Sequence, residues 1–145
     1  KKWWWTEYID KCEVWCVMGK FKKMMNHSFL LERVDYFDTA QQLVRQYGLK
    51  SKVKFTRGSQ MAEYVPETDT ITLRKSYPSI KEFLMTVLHE IKHALDAKRL
   101  GVRKFIKKYT QAGTMAAYDG LDPHDDNKWE EKAERFAKRE LHKWM

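Results

Sequence analysis

The sequence predicts an α+β fold, in which helices flank a small antiparallel sheet of three strands. Apolar residues recur at steps of three and four over most of the chain, which is typical of amphipathic helices. Between residues 50 and 74 the period changes to two, which is typical of strands. A length of 145 residues with 43 % apolar residues fits one domain with one core. We therefore expect a single domain over 1–145, with a helical N-terminal part (1–48) and a core (50–145).

Two helices are predicted in the N-terminal part. Residues 1–25 carry an aromatic stripe that is more typical of a core or an interface than of a cofactor site. The stripe consists of Trp4, Tyr8, Cys12, Trp15 and Cys16. Cys12 and Cys16 lie one helical turn apart, and we expect reduced core thiols rather than a disulfide or a metal pair. A second helix is predicted to begin at the capping residue Ser28 and to end at Gly48.

Three strands are predicted next, at residues 52–56, 61–65 and 70–74, and the turns between them contain Gly58 and Pro66. Consecutive strands with short turns favour an antiparallel sheet. A strand placed directly before the next helix can offer its edge to an extended peptide. Simple packing of that strand under the helix is an equally good interpretation.

The following helix is defined by both of its ends. Ser79 and Glu82 form a capping box after Pro78, and Gly101 ends the helix. Its apolar stripe indicates a largely buried helix. The stripe consists of Ile80, Phe83, Leu84, Val87, Leu88, Ile91 and Leu95.

This helix carries His-Glu-x-x-His at residues 89–93. Residues four apart share a helix face, so His89 and His93 can direct ring nitrogens to one point, as a zinc ion requires. Glu90 lies one residue further round and is suited to deprotonate a water molecule on the metal. A structural zinc site would more often use cysteines, and neither Cys12 nor Cys16 is suitably placed in the sequence.

The third metal ligand is expected in the last helix. After Gly101 we predict a short basic helix over 102–109, then a loop over 110–127 that could cover the metal as a lid. The last helix is predicted to start near 125–127 and to run almost to Met145. Glu130 shares its face with Ala133, Ala137, Leu141 and Trp144, whereas Glu131 shares a solvated face with Glu134, Arg135 and Lys138. Glu130 is therefore preferred to Glu131 as the third ligand, and His124 is the other alternative.

Residues 130–137 read Glu-x-x-Ala-x-x-Phe-Ala, and together with His-Glu-x-x-His they resemble the ImmA/IrrE-type, gluzincin-like zinc metallopeptidases. The resemblance implies a zincin-like fold, zinc ligands at His89, His93 and Glu130, and Glu90 as general base. It also implies a regulatory protease with a protein or peptide substrate. Members of that family often carry Glu and Asn where Lys132 and Glu134 stand here. We therefore expect the side chains that contact the metal ligands to differ from those of the family.

The His-Glu-x-x-His motif also occurs in other classes of zinc protein. A metzincin would need a glycine and a third histidine where Asp96 and Arg99 stand. The nearest rival is an SprT-type protease of DNA-bound proteins, which would take His124 as its third ligand and would suit the positive charge. A non-catalytic, zinc-stabilised binding module and a degenerate protease used as a scaffold are further alternatives.

Two supporting roles are predicted around the metal. The oxyanion formed during hydrolysis needs a second donor, and Tyr118 is the candidate, with Tyr109 behind it. Asp96 either accepts the second N–H of a metal-binding histidine or forms a salt bridge with Arg99 or Lys92.

The formal net charge is +8, which suggests attraction to nucleic acid or to acidic proteins, although a solubilising surface is the preferred explanation because the basic residues are spread over several segments. There is no apolar run long enough to span a bilayer and no signal-peptide pattern at the start. These observations predict a cytoplasmic location; the oligomeric state and the substrate are not predicted.

Overall fold

The computed structural model describes residues 35–56 and 61–145. The chain divides into two compact units, one of residues 1–34 with His142–Met145 and one of Asp35–Leu141. The predicted Trp-rich helix, Cys12, Cys16 and the cap at Ser28 lie outside the described residues. The following description concerns the second unit, and the prediction of a single domain stays a prediction.

Asp35 is the N-cap of helix α1 (Tyr36–Gln46). Its backbone is extended, and its side chain accepts a hydrogen bond from the Asp38 amide. The sequence placed the start of this helix at Ser28, which lies outside the described residues. The buried side of α1 carries Thr39, Ala40, Leu43 and Val44. The helix ends as predicted near Gly48, whose φ of 71° suits a residue without a side chain.

The sheet is mixed, so the predicted antiparallel sheet was wrong. Its strands are β1 (Lys52–Phe55), β2 (Glu63–Val65) and β3 (Thr70–Leu73), in the order β1-β3-β2. β3 pairs with β2 antiparallel but with β1 parallel. The strand without a charged residue takes the centre. β3 is the most deeply buried of the three strands, whereas β1 and β2 each carry charged residues that are exposed to solvent. Alternation along a single strand does not reveal this order.

Helix α2 (Ile80–Leu100) is the centre of the unit and has the predicted ends. The Ser79 hydroxyl accepts a hydrogen bond from the Glu82 amide, and Gly101 has a φ of 88°. The helix packs against β2 and β3 and, most extensively, against the last helix. Its completely buried side chains are Phe83, Leu84, Val87, Leu88 and Ile91, each contributing about 1.5–3 kcal/mol.

Helix α3 (Val102–Tyr118) is longer than the predicted helix over 102–109. Only the second half of the predicted loop over 110–127, the part after Tyr118, lies outside the helix. Gly113 suggested a loop, but it lies buried inside the helix. A Cβ there would lie 3.1 Å from the Pro123 carbonyl oxygen and 3.5 Å from Asn127 Nδ2. This glycine therefore lets the connection to the last helix pass close to α3.

Helix α4 (Lys128–Leu141) starts where the sequence predicted. The completely buried Asn127 accepts a hydrogen bond from the Trp129 amide through its side-chain oxygen. Its side-chain nitrogen donates to the carbonyls of Tyr109 and Pro123. One side chain thereby joins the start of α4 to α3 and to the connecting loop.

No helix in the described part of the chain is both long and apolar enough to cross a lipid bilayer.

Candidate metal centre

Two imidazoles from α2 and one carboxylate from α4 meet at one point. His89 Nε2 lies 2.6 Å from Glu130 Oε2, and His93 Nε2 lies 3.1 Å from Glu130 Oε1. One ligand atom from each of the three residues lies within 4.8 Å of the other two. These three residues are close enough to bind a metal ion. They are the three that the sequence predicted.

The two helices hold these side chains through regular geometry. His89 and His93 are four residues apart on α2, and their ring centroids are 4.9 Å apart. Glu130 lies in the first turn of α4 and is buried, while its neighbour Glu131 is 56 % exposed and faces Arg135. Because α4 packs on α2, the inward face of α4 brings Glu130 to the histidines.

Electrostatics favour an ionised carboxylate at Glu130. Burial alone would raise the pKa of Glu130, but the hydrogen bonds with His89 and His93 outweigh it and hold the pKa well below its usual range. Burial likewise opposes charge on His89, whereas the Glu130 hydrogen bond raises the pKa of His89 overall. A cation at this point, either a proton or a metal ion, therefore stabilises the cluster.

The donor set fits zinc. Two imidazole nitrogens and one carboxylate are a common set of three protein ligands in catalytic zinc sites, which leave the fourth position open. Both histidines present Nε2 to the shared point, and the carboxylate presents one oxygen to each. Without a cation the buried carboxylate would depend on protonated histidines, which is a costly arrangement in a partly buried site.

Glu90 lies on α2 between the two histidines. It is only 6 % exposed and lines the same cleft as they do. Burial raises the pKa of the Glu90 carboxyl, although His93 and His89 partly oppose this effect. A carboxylate of raised basicity beside the three converging side chains is suited to accept a proton.

Glu134 contributes a contact that the sequence analysis missed, since it assigned this residue to the solvated face of α4. Its Oε2 lies 3.4 Å from His89 Nδ1 and it lines the cleft. The available signal was its spacing, because residues 130 and 134 are one helical turn apart. A carboxylate at Nδ1 favours the tautomer whose Nε2 is free to bind a metal.

The two tyrosines predicted as oxyanion donors differ in whether they line the cleft. Tyr118 is 88 % exposed and is not among the residues that line the cleft, so the structure does not bring it to the cluster. Tyr109 lines the cleft, and its hydroxyl donates to Glu130 Oε1 at 2.6 Å. Burial, followed by this hydrogen bond, raises the pKa of Tyr109, so its hydroxyl stays protonated at neutral pH.

His124 reaches the rim of the cluster from the loop between α3 and α4. Its Nε2 lies 3.5 Å from Glu130 Oε1, but the side chain is 63 % exposed and its Nδ1 faces Asp125. It is outside the group of three whose ligand atoms converge. The geometry therefore favours Glu130 over His124 as the third ligand.

Asp96 forms salt bridges, which is the second of its two predicted roles. Its Oδ1 accepts from Lys92 at 3.0 Å and lies 3.5 Å from Arg99. In the described residues its Oδ2 has no hydrogen-bond partner, and neither does His93 Nδ1. Of the two histidines, only His89 therefore has a carboxylate beside its second ring nitrogen.

A cleft of about 750 Å³ opens over the cluster. Its lining includes the edge strand β2 with its flanking residues and α3 residues such as Ile106. The three converging side chains and Glu90 also line this space. The cleft can thus bring a ligand of peptide size to the cluster.

The chain matches no protein-family model, no curated protein and no solved structure. Assignments beyond the metal-binding geometry therefore depend on the residues themselves.

Proposed function

We propose that the protein is a zinc-dependent peptidase with His89, His93 and Glu130 as metal ligands and Glu90 as general base. The observation that carries the proposal is the convergence of the three ligands beside a buried glutamate on the wall of an open cleft. A metal that only stabilised the fold would need neither the glutamate nor the cleft. The resemblance of the two helical motifs to ImmA/IrrE-type peptidases supports the same activity.

When bound, zinc supplies Lewis acidity, which polarises a carbonyl oxygen and makes a water molecule acidic near neutral pH. Glu90 accepts a proton from that water molecule while the water oxygen forms a bond to the carbonyl carbon of the substrate. Glu90 then gives the proton to the amide nitrogen as the C–N bond breaks. The raised pKa of Glu90 suits both transfers, because the group must gain and lose a proton in one cycle.

Besides the two histidine ligands, Tyr109 and His124 place donors near the ligand carboxylate. The Tyr109 hydroxyl, which is protonated at neutral pH, can turn from Glu130 toward the oxyanion that develops in the cleft. His124 approaches the same carboxylate oxygen, Glu130 Oε1, from the exposed loop and can also donate. We assign the main stabilising role to Tyr109 because its position is fixed within α3.

An extended peptide is the substrate that the cleft fits best. β2 is an edge strand, so its outer backbone groups are available to pair with a further strand. β2 and its flanks, from Met61 to Pro66, contribute to the cleft wall. Pairing with β2 would hold a peptide in one direction beside the cluster.

Comparison of parent, Glu90→Gln and Glu130→Ala variants tests this proposal, with zinc content and cleavage of a quenched fluorescent peptide mixture as readouts. We expect Glu90→Gln to keep zinc and to lose cleavage by at least about 100-fold. We expect Glu130→Ala to lose both. Equal cleavage by parent and Glu90→Gln, or a zinc-loaded parent that cleaves nothing, would contradict the assignment as a peptidase.

A further inference from the structure

The outward face of α3 carries a group of cations that the proposed peptidase does not use. Arg103, Lys104, Lys107 and Lys108 are all exposed. They form two pairs with a spacing of four residues, so they share one side of the helix. The opposite side of α3 is buried through Phe105, Gly113 and Ala116. We call these four residues the basic face.

Among residues 35–56 and 61–145, no carboxylate is paired with the basic face. The sequence contains no acidic residue between Asp96 and Asp119. Within the part of the chain that the structure describes, none of the four side chains takes part in an ion pair. The charge of this surface is therefore available to a partner.

The local design of α3 is also unfavourable for its own stability. The helix has no side-chain cap and no acidic residue in its first turn, where acidic residues stabilise the dipole. Instead, Arg103 and Lys104 lie at this positive end. Residues that oppose helix stability in this way are expected where a surface serves binding.

From this arrangement we infer that the basic face binds the sugar–phosphate backbone of a nucleic acid. Phosphate contacts by lysine and arginine provide most of the affinity in such complexes, and a helix can lie against a groove. A protein partner would be anchored by a central apolar or aromatic cluster, and the two turns of the basic face offer none. A membrane surface would require a continuous exposed apolar side next to the cations. In α3, Phe105, Gly113 and Ala116 are buried, and the exposed Met115 and Tyr118 lie about two to three turns beyond the basic face.

The inference does not depend on the peptidase assignment, because the basic face lies on the opposite side of α3 from its buried residues. Binding of a short fluorescein-labelled DNA duplex of mixed sequence, followed by anisotropy over a range of salt concentrations, tests it. The test variant carries Gln at the four positions of the basic face. The matched control carries Gln in place of four other exposed lysines, at positions Lys50, Lys52, Lys54 and Lys75. These substitutions remove the same charge as those of the test variant.

We expect the test variant to bind at least about tenfold more weakly than the parent at low salt. The slope of log affinity against log salt should fall by about three to four. The double variant Lys107→Gln/Lys108→Gln should show about half of that change, which guards against a folding defect in the fourfold variant. The control and Glu90→Gln should bind like the parent.

Three outcomes would overturn the inference. The first is a parent that does not bind the duplex. The second is an equal loss in test and control variants, which would show that net charge alone attracts DNA. The third is equally strong competition by polyglutamate of matched charge or by anionic vesicles, which would identify an acidic protein or a membrane surface as the partner.

Discussion

His89 Nε2 and Glu130 Oε2 lie 2.6 Å apart, although 41 residues separate them in the sequence. This contact joins the central helix α2 to the last helix α4 and completes the group of three side chains that are close enough to bind a metal ion. The proposed metal therefore connects two elements that are distant in the chain. Metal binding should stabilise the fold as well as supply chemistry.

Removal of the Glu134 carboxylate should weaken metal binding without removing a ligand. Glu134 lies 3.4 Å from His89 Nδ1, and loss of such a partner typically costs about 10–100-fold in metal affinity. We expect this loss in Glu134→Leu, measured by chelator competition for zinc. Glu131→Leu is the matched control, because Glu131 is exposed on the same helix. An unchanged affinity in Glu134→Leu would show that this contact does not position His89.

Tyr109→Phe should slow peptide cleavage and leave the zinc content unchanged. The variant removes the hydroxyl that faces Glu130 Oε1 but keeps the ring packed between α3 and the cluster. Loss of one oxyanion donor commonly costs about 100–1,000-fold in turnover. Tyr118→Phe is the control and should cleave like the parent, since Tyr118 is exposed. The reverse result, with Tyr118→Phe impaired, would restore the sequence-based choice.

Asn127→Ala should destabilise the fold by about 2–3 kcal/mol. The change removes a helix cap and leaves the partly buried Tyr109 carbonyl without its hydrogen bond from Asn127. Urea unfolding measures the loss, with Gln111→Ala on the exposed side of α3 as the control. A change below about 0.5 kcal/mol would mean that this side chain does not join α3 to α4 as described.

The stability of the metal-free protein should decrease above neutral pH. The pKa of His89 is raised in the folded state, so protonation contributes stability that is present below its unfolded value and is lost as pH rises through the folded value. The pKa of Glu130 is lowered, so its contribution is present above its unfolded value and is lost only in strong acid. Thermal unfolding in chelator should therefore show a melting temperature that falls from about pH 6 to about pH 9.

Glu130→Gln is the informative variant for this pH dependence. It removes the charge that raises the pKa of His89, and the fall in melting temperature should shrink accordingly. Glu131→Gln should keep the fall. A parent whose melting temperature does not change over this range would contradict the coupling between the two residues.

The sequence was sufficient for the parts of the site that follow from helical geometry. The ends of α2 were predicted from Ser79 and Gly101, and the inward direction of Glu130 followed from the apolar residues on its face. The approach of Glu130 to the two histidines is consistent with both predictions. Local spacing on a helix thus determines a large part of the candidate metal centre.

The parts that sequence did not predict depend on contacts between distant segments. The order β1-β3-β2 depends on which strand can be buried on both sides. The alternation of apolar and polar residues within each strand does not indicate which strand that is. Gly113 indicated a loop because its role, a close approach of Pro123, involves a segment ten residues away. Tyr109 lines the cleft and Tyr118 does not, whereas the sequence favoured Tyr118 because α3 was predicted to end at residue 109 and to leave Tyr118 in a loop.

Elemental analysis of zinc in the purified parent, in Glu130→Ala and in His124→Ala shows whether the last helix supplies the third ligand. We expect about one zinc per chain in the parent and in His124→Ala, and a loss of zinc in Glu130→Ala. A metal-free parent would contradict this expectation, and so would zinc that is retained in Glu130→Ala but lost in His124→Ala.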